Sequence, residues 1–402
     1  MMTNKKNKLI PKLRFPEFEN DGEWENVSIE NVGNVVTGNT PSKKESSFWG
    51  GNNIWITAQD FKGKYIYDSV LKLTNEGREK VRIIPKNSVL VTCIASIGLN
   101  GINKVECSTN QQINSIICNS SYSYNFVYYA IESNLVRLKR FAGQTAVPII
   151  TKSAFEKFNI LTPPSLEEQQ KIANCLSSLD ELIEAQEEKL KLLKEHKKGL
   201  MQQLFPQAND NRDITRGGNL PKLRFPEFIN DGAWEEKTLG EVCNITNGKS
   251  NAQDHIEGGK YPLFDRSEVI KTSNEYIFDT EAVIIPGEGM KFIPKYYEGK
   301  FNLHQRAYAL KGFSIHGKFI YYSMLNNNVL LSRKAVQSTV LSLRLPILQN
   351  FPVQVPKQKK EQQKIADCLS SLDETIEAQD QKIELLKQHK KGLMQGLFPV
   401  IN

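Results

Sequence analysis

Two stretches of the chain carry one pattern of apolar and polar positions. In the first, apolar residues fall at Ile172, Leu176, Leu179, Ile183, Leu190, Leu193, Leu200 and Leu204, with Gln186 and Lys197 in the gaps. In the second they fall at Ile365, Leu369, Leu372, Ile376, Ile383, Leu386, Leu393 and Leu397, with Gln379 and Lys390 in the gaps. The spacing alternates four and three, which predicts helices that bury a seam against another helix. An antiparallel pair would place Gln186 and Gln379 near its middle, where the two amides either meet or are solvated separately. "LFP" ends both segments, because proline cannot continue the helical ladder. Ser165 and Glu168 have the spacing of a capping box at the first start. The second copy has Gln358 in place of the serine and needs another cap. The predicted helical segments are 165–206 and 358–402.

The remaining pattern is mixed. Residues 27–160 hold strand-like runs ("SVLVTCIASIG", "INSIICN") and then a helical stretch, "YNFVYYAIESNLVRLKRFA". Residues 237–355 repeat that order with "EAVIIPGEGM", "RAYALKG" and "HGKFIYYSMLNNNVLLSRKAV". The pattern predicts an α+β protein. Two α/β domains, 1–164 and 207–357, are separated by two long antiparallel helices that form a coiled coil, as a pseudo-two-fold tandem repeat. Sequence identity supports the duplication. "KLRFPEF" occurs at Lys12–Phe18 and again at Lys222–Phe228, and a longer near-identity starts at Glu168 and at Glu361. Trp24 and Trp234 repeat in the opening frame, as core anchors would.

Charge changes the picture. The chain has 402 residues and a net charge of +7. Residues 1–165 carry +6 and 206–358 carry +3, whereas 166–205 carry −2 and 359–402 carry 0. Basic domains joined to near-neutral helices suit a polyanionic partner. None of the six cysteines makes a C-x-x-C pair, and no run approaches the ~18 apolar residues of a membrane span. The expectation is a reduced cytoplasmic protein with no membrane association.

Catalytic motifs are missing. "NGKS" at Asn247–Ser250 ends like a phosphate-binding loop, but Cys243 stands where its first glycine belongs. "GEGMKF" at Gly287–Phe292 is not a dinucleotide fingerprint. Glu298-Gly299-Lys300 has the E-x-K of a nuclease site without a well-placed second carboxylate. His196 and His389 repeat on the helices, where solvent or a partner is the expected neighbour. No catalytic residue, metal ligand or cofactor-binding residue is expected in this chain.

Polar loops remain as the chemistry. Asn, Gln, Arg, Lys, Ser and Thr read base edges and phosphates. The first domain offers Asn39, Thr40, Lys43, Lys44, Gln59, Lys62, Thr109, Asn110, Gln111, Gln112, Gln144 and Thr145. The second offers Asn247, Lys249, Ser250, Asn251, Arg266, Gln305, Arg306, Ser338 and Thr339. Thr109–Gln112 stands first among these, as a polar quartet at a strand edge; Arg306, just before the strand-like "AYAL", stands second. Matching frames suit two copies of one partner, and diverged inserts suit two different targets. A helix of about 38 residues spans roughly 55–60 Å, long enough to separate two readers by about a DNA turn of ~34 Å.

"EEQQKIA" at Glu167–Ala173, the heptad seam and "LLKEHKKGLMQQLFP" together resemble the DNA-specificity subunit of type I restriction-modification enzymes. "GNTPS…FWGGNNIWITAQDFKG", "SVLVTCIASIG…STNQQ" and "GKYPLFDRSEVI" are similar to target-recognition domains of that family, and the resemblance covers essentially the whole chain. It implies a non-catalytic chain that reads a bipartite double-stranded DNA site with a fixed gap. It further implies that the helices dock two methyltransferase subunits, which use S-adenosylmethionine to modify adenine N6. Two motor-nuclease subunits that use ATP and Mg complete the implied complex. One departure is "FDRSE", which replaces the glycine-rich turn expected after "YPLF".

Overall fold

Both seams form the helices that their spacing predicts. The computed structural model describes residues 9–142, 147–206, 220–336 and 340–399. The first long helix is Leu166–Leu204 and the second is Lys359–Leu397, 39 residues each. Ile172, Leu176, Ile183, Ile365, Leu369, Gln379 and Ile383 are buried. Leu179, Gln186, Leu190, Leu193, Leu372, Ile376 and Leu386 are half-buried. Leucines off the seam, such as Leu192 and Leu385, are exposed.

Contacts divide the chain into two compact units. One is Met1–Gln186 with Lys382–Asn402, and the other is Glu187–Gln381. Each boundary falls inside a long helix. Each unit therefore holds one α/β domain, the start of one long helix and the end of the other. In the first unit Ile172, Ala173 and Leu176 share a core with Leu397 and Phe398. In the second, Met201, Leu204 and Phe205 share a core with Ile365, Ala366 and Leu369. Within each unit the helices run antiparallel, start against end.

The lysines in the seam gaps are ion-paired. Lys390 lies 2.8 Å from Asp180 and 3.2 Å from Glu132 in the first unit. Lys197 pairs with Asp373 in the second. A slipped register would strand a half-buried ammonium, so these pairs favour one alignment.

The first unit has a five-stranded sheet in the order Gly33–Thr37, Ile113–Cys118, Val89–Thr92, Asn100–Asn103, Tyr65–Ile66. Beside it lies a three-stranded sheet of Leu71–Leu73, Trp49–Ile56 and Ser108–Thr109. Val89–Thr92 is central and wholly buried, as its unbroken apolar run requires. The second unit has one six-stranded sheet in the order Asn244–Asn247, Ala307–Lys311, Phe278–Pro286, Lys295–Leu303, Tyr261–Phe264, Lys271–Ser273. In both units the helical stretch breaks in two at an asparagine. Tyr124–Ser133 is followed by Leu135–Phe141, and Gly317–Asn326 by Asn328–Lys334.

The repeated opening motif locks onto the repeated helix start. Arg14 donates to both carboxylate oxygens of Glu168 at 2.8 and 2.7 Å, and the Trp24 indole N–H donates to the same carboxylate at 3.3 Å. Arg224, Glu361 and Trp234 repeat this at 2.8, 2.8 and 3.2 Å. The side chains of Arg14 and Glu168 are only 5% and 0% exposed. Removing one partner from such a pair typically costs about 3–5 kcal/mol, because the other charge is left buried.

This contact corrects the expected capping box. Ser165 does accept from the Glu168 backbone N–H at 3.2 Å. The Glu168 carboxylate does not return to Ser165, because Arg14 and Trp24 hold it. The next residue is also structural. Gln169 accepts from the Ser123 N–H at 3.0 Å and Gln362 accepts from the His316 N–H at 3.0 Å. "EQQ" is therefore a clamp between each domain and its helix.

Candidate nucleic-acid interface

In both domains a glycine loop crosses a polar turn between two strands. In the first domain the Gly38 N–H donates to Ile113 O at 3.1 Å and the Asn39 N–H to Thr109 O at 2.9 Å. In the second the Gly248 N–H donates to Ala307 O at 3.3 Å and the Lys249 N–H to Leu303 O at 3.1 Å. The approach is too close for a side chain. A Cβ on Gly38 would lie 2.2 Å from Thr109 O, and one on Gly248 would lie 1.9 Å from Leu303 O.

The turns match residue by residue. Asn110 Oδ1 accepts from the Gln112 N–H at 3.1 Å, and His304 Nδ1 accepts from the Arg306 N–H at 3.1 Å. At the tips Thr40 Oγ1 donates to Gln111 Oε1 at 2.5 Å, and Gln305 Nε2 donates to Asn251 Oδ1 at 2.8 Å. Gln111 therefore corresponds to Gln305, and Gln112 to Arg306. One backbone turn presents different side chains in the two domains.

Indoles hold the first domain's loop. Trp55 Nε1 donates to Asn39 O at 3.2 Å and Trp49 Nε1 to Ser42 O at 3.1 Å, with the two rings edge to face at 5.0 Å. Lys43 and Lys44 follow on this fixed loop and are exposed, as are Gln59, Lys62 and Gln111. Gln59 lies in a short 3-10 turn closed by Thr57 and Asp60.

Several expected readers are spent on structure, which corrects the sequence reading. Thr109 is 0% exposed and sits under Gly38. Asn110 is buried, with its amide on Gln112. Asn39 donates to Lys80 O at 2.8 Å and accepts from the Arg82 N–H at 2.9 Å, so both ends of its amide are used. Ser250 is buried and donates to Asn302. Asn39 and Asn110 satisfy backbone that the loop crossing would otherwise strand, whereas Thr109 and Ser250 are withdrawn from solvent by burial. Gln144, Thr145, Ser338 and Thr339 lie outside the described residues.

The second domain gathers its candidates best. Asn251, Gln253, Asp265, Arg266, Lys271, His304, Gln305 and Arg306 line one cleft of about 570 Å³. Asn247 and Lys249 are exposed nearby on the loop, and Asn247 donates to Gln305 O at 3.2 Å. Lys271 pairs with Asp265 at 2.7 Å. Burial works against the Asp265 carboxylate, but Lys271 and Ser267 hold it below the usual range. Burial lowers the His304 pKa, and the cations Arg306, Lys271 and Arg266 add to this against Asp265. A neutral His304 with Nδ1 accepting leaves Nε2–H as a donor. Arg266 is exposed and forms no hydrogen bond or ion pair among the described residues.

The loops "FDRSE" and "HQR" hold Asp265 and His304, but sequence reasoning missed Lys271 and Glu288 and a repeated anchor between each domain and its long helix. Tyr129 OH donates to Asp180 at 2.6 Å, and Tyr322 OH donates to Asp373 at 2.7 Å. The signal was present: "FVYYA" and "FIYYS" stand at the same spacing from their helix repeats. Among the described residues no group of His, Cys, Asp or Glu is arranged to hold a metal ion, and no helix is long and apolar enough to cross a membrane.

Two domains of one fold, each clamped to the start of a long helix and each presenting a polar turn, define a tandem-repeat architecture. The family described as type I restriction modification DNA specificity domain matches residues 21–195 and 232–388. The chain belongs to that family. Specificity subunits are the non-catalytic DNA-recognition components of such systems. The type I restriction enzyme MjaIX specificity subunit of Methanocaldococcus jannaschii is 30% identical over 260 residues. That match spans 62% of this chain and 59% of the relative, less than two thirds of its length. The MjaVIII specificity subunit of the same organism is 24% identical over 429 residues, 96% of this chain and 93% of the relative. The crystal structure of a type I restriction-modification S subunit from M. genitalium superposes with a TM-score of 0.65 at 18% identity. It covers 98% of this chain and 100% of that one, and supports the fold.

Proposed function

We propose that this chain is the DNA-reading subunit of a type I restriction-modification complex and recognises a bipartite, asymmetric double-stranded site with a fixed gap. One observation carries the reading. The same crossed turn recurs in both domains with Gln111 and Gln112 in one and Gln305 and Arg306 in the other. A conserved backbone with exchanged polar tips is what two half-sites of different sequence require. Lys43, Lys44, Lys62, Lys249 and Arg266 are exposed and suit phosphates.

The near-identical helices suit two copies of one partner, a methyltransferase subunit carrying S-adenosylmethionine. Leu192 and Leu385, exposed at equivalent places, offer that partner a matched pair of apolar contacts. Through it two motor-nuclease subunits with ATP and Mg would join. The chain itself holds no reaction in this scheme and works in the cytoplasm.

The test is a genome-wide map of N6-methyladenine with and without this gene. Loss of one gapped, two-part methylated motif on deletion is expected. An unchanged map, together with failure of the chain to co-purify a methyltransferase, overturns the reading.

A further inference from the structure

Arg306 is held by a carboxylate that the DNA-reading turn does not contain. Its Nη1 donates to Glu288 Oε2 at 2.8 Å. Glu288 belongs to the loop Gly287–Met290, and that loop is fixed from both sides. The Gly287 N–H donates to Arg306 O at 2.8 Å, the Leu343 N–H to Gly287 O at 2.8 Å, and the Gly289 N–H to Leu341 O at 3.1 Å. Glu288 itself bridges to Ser342. Gly287 is pressed so close that a Cβ there would lie 2.5 Å from Arg306 O. Both ends of the ion pair therefore stand on backbone that cannot shift independently.

The pairing is one-sided. A guanidinium has five N–H donors in a rigid fork, and one of them meets Glu288. The Arg306 side chain is 59% exposed, so the rest of the fork remains open to solvent at the cleft. Two parallel donors on a fixed planar group match the O6 and N7 acceptors of guanine in the major groove. At the equivalent place the first domain has Gln112, whose amide is of the kind that pairs with adenine.

We propose that Arg306 reads a guanine and that Glu288 is the positioning residue that sets its guanidinium for that contact. This rests on the DNA-reading function proposed above. Glu288 restrains the side chain before DNA arrives, so less freedom is lost on binding. A lysine at 306 would keep the charge and reach Glu288, but it has no fork.

The test uses the full chain, purified with the subunits that co-purify with it, and a randomised duplex library sequenced after selection. Wild type is expected to select a gapped site with a guanine in one half. R306K is expected to keep overall affinity within a few-fold and to lose that guanine preference by about tenfold or more. E288A is expected to weaken the preference at the same base pair and no other, and E288D to restore much of it. The other half-site serves as the folding control. A wild-type site whose every position is unchanged in R306K and E288A overturns this inference alone. So does an equal loss at all positions in E288A while its thermal unfolding matches wild type. Selection of no gapped site by wild type overturns the DNA-reading function itself.

Discussion

Replacing Lys64 with methionine isolates one buried charge. Lys64 is 5% exposed in the first unit. Its ammonium donates to Ser177 and to Tyr129 OH, and it lies 4.5 Å from the Tyr129 ring and 4.8 Å from the Tyr65 ring. Burial pushes its pKa from 10.5 down to about 8, with Asp180, Glu181 and Glu132 opposing this and Lys390 adding to it. At about 1.36 kcal/mol per unit, the buried ammonium costs roughly 3 kcal/mol at neutral pH. The folded pKa is the lower one, so between pH 8 and 10.5 the unfolded chain binds the extra proton. Stability contributed by this group therefore rises with pH across that window. K64M has no such term. Urea unfolding of the full chain, wild type against K64M, at pH 7.5 and 9.5 reads the difference and cancels other titrations. Wild type is expected to gain roughly 2 kcal/mol on the variant over that interval. A difference that stays constant would mean that Lys64 keeps its ordinary pKa, and the argument from burial would be wrong.

Glu168→Ala leaves Arg14 and the Trp24 indole without their acceptor, and calorimetry should find the first unit destabilised by about 3–5 kcal/mol. Glu361→Ala should do the same to the second unit only. Replacing Gln111 and Gln112 with alanine is expected to relax one half-site in a selected-site assay; loss at both halves would point to misfolding. Arg266→Ala should weaken binding to all duplexes alike and reduce the slope of log K against log salt by about one, measured by titration at several salt concentrations. Inserting one helical turn after Ala185 adds about 6 Å of helix. It is expected to widen the gap in the methylated motif and leave both halves unchanged; altered halves would end the ruler idea.

The long helices were legible because a heptad seam leaves its period in the residues themselves. Ile172 through Leu204 alternate four and three whatever surrounds them. Lys197 and Lys390 broke the apolar pattern, and only the fold shows them paired with Asp373 and with Asp180 and Glu132. The polar loops were legible as loops but not as side chains. Thr109 and Gln111 look alike in sequence, yet Thr109 is buried beneath Gly38 and Gln111 is exposed. That distinction lies in a loop crossing set by backbone hydrogen bonds, which leave no residue type behind except two glycines. The spacing of Glu168 to Ser165 fits a cap, yet its carboxylate is held by Arg14 and Trp24. The repeat of Arg14 with the repeat of Glu168 was the better clue, since two residues copied together can be copied for contact.

The two kinds of repeated feature have different physical reasons to persist. The Arg14–Glu168 and Arg224–Glu361 pairs are buried, so a change on either side strands a charge, and both sides must stay. The crossed turns are held by backbone and by glycine, so the side chains at their tips can change while the backbone turn stays. Gln112 and Arg306 sit on the same turn and differ. Glu288 then has a defined place in the scheme. An arginine brought to that tip by substitution would sweep a wide arc, whereas one tethered to a fixed carboxylate offers its fork in one direction. New base preference in such a domain therefore needs two changes, one at the tip and one at the loop that steers it.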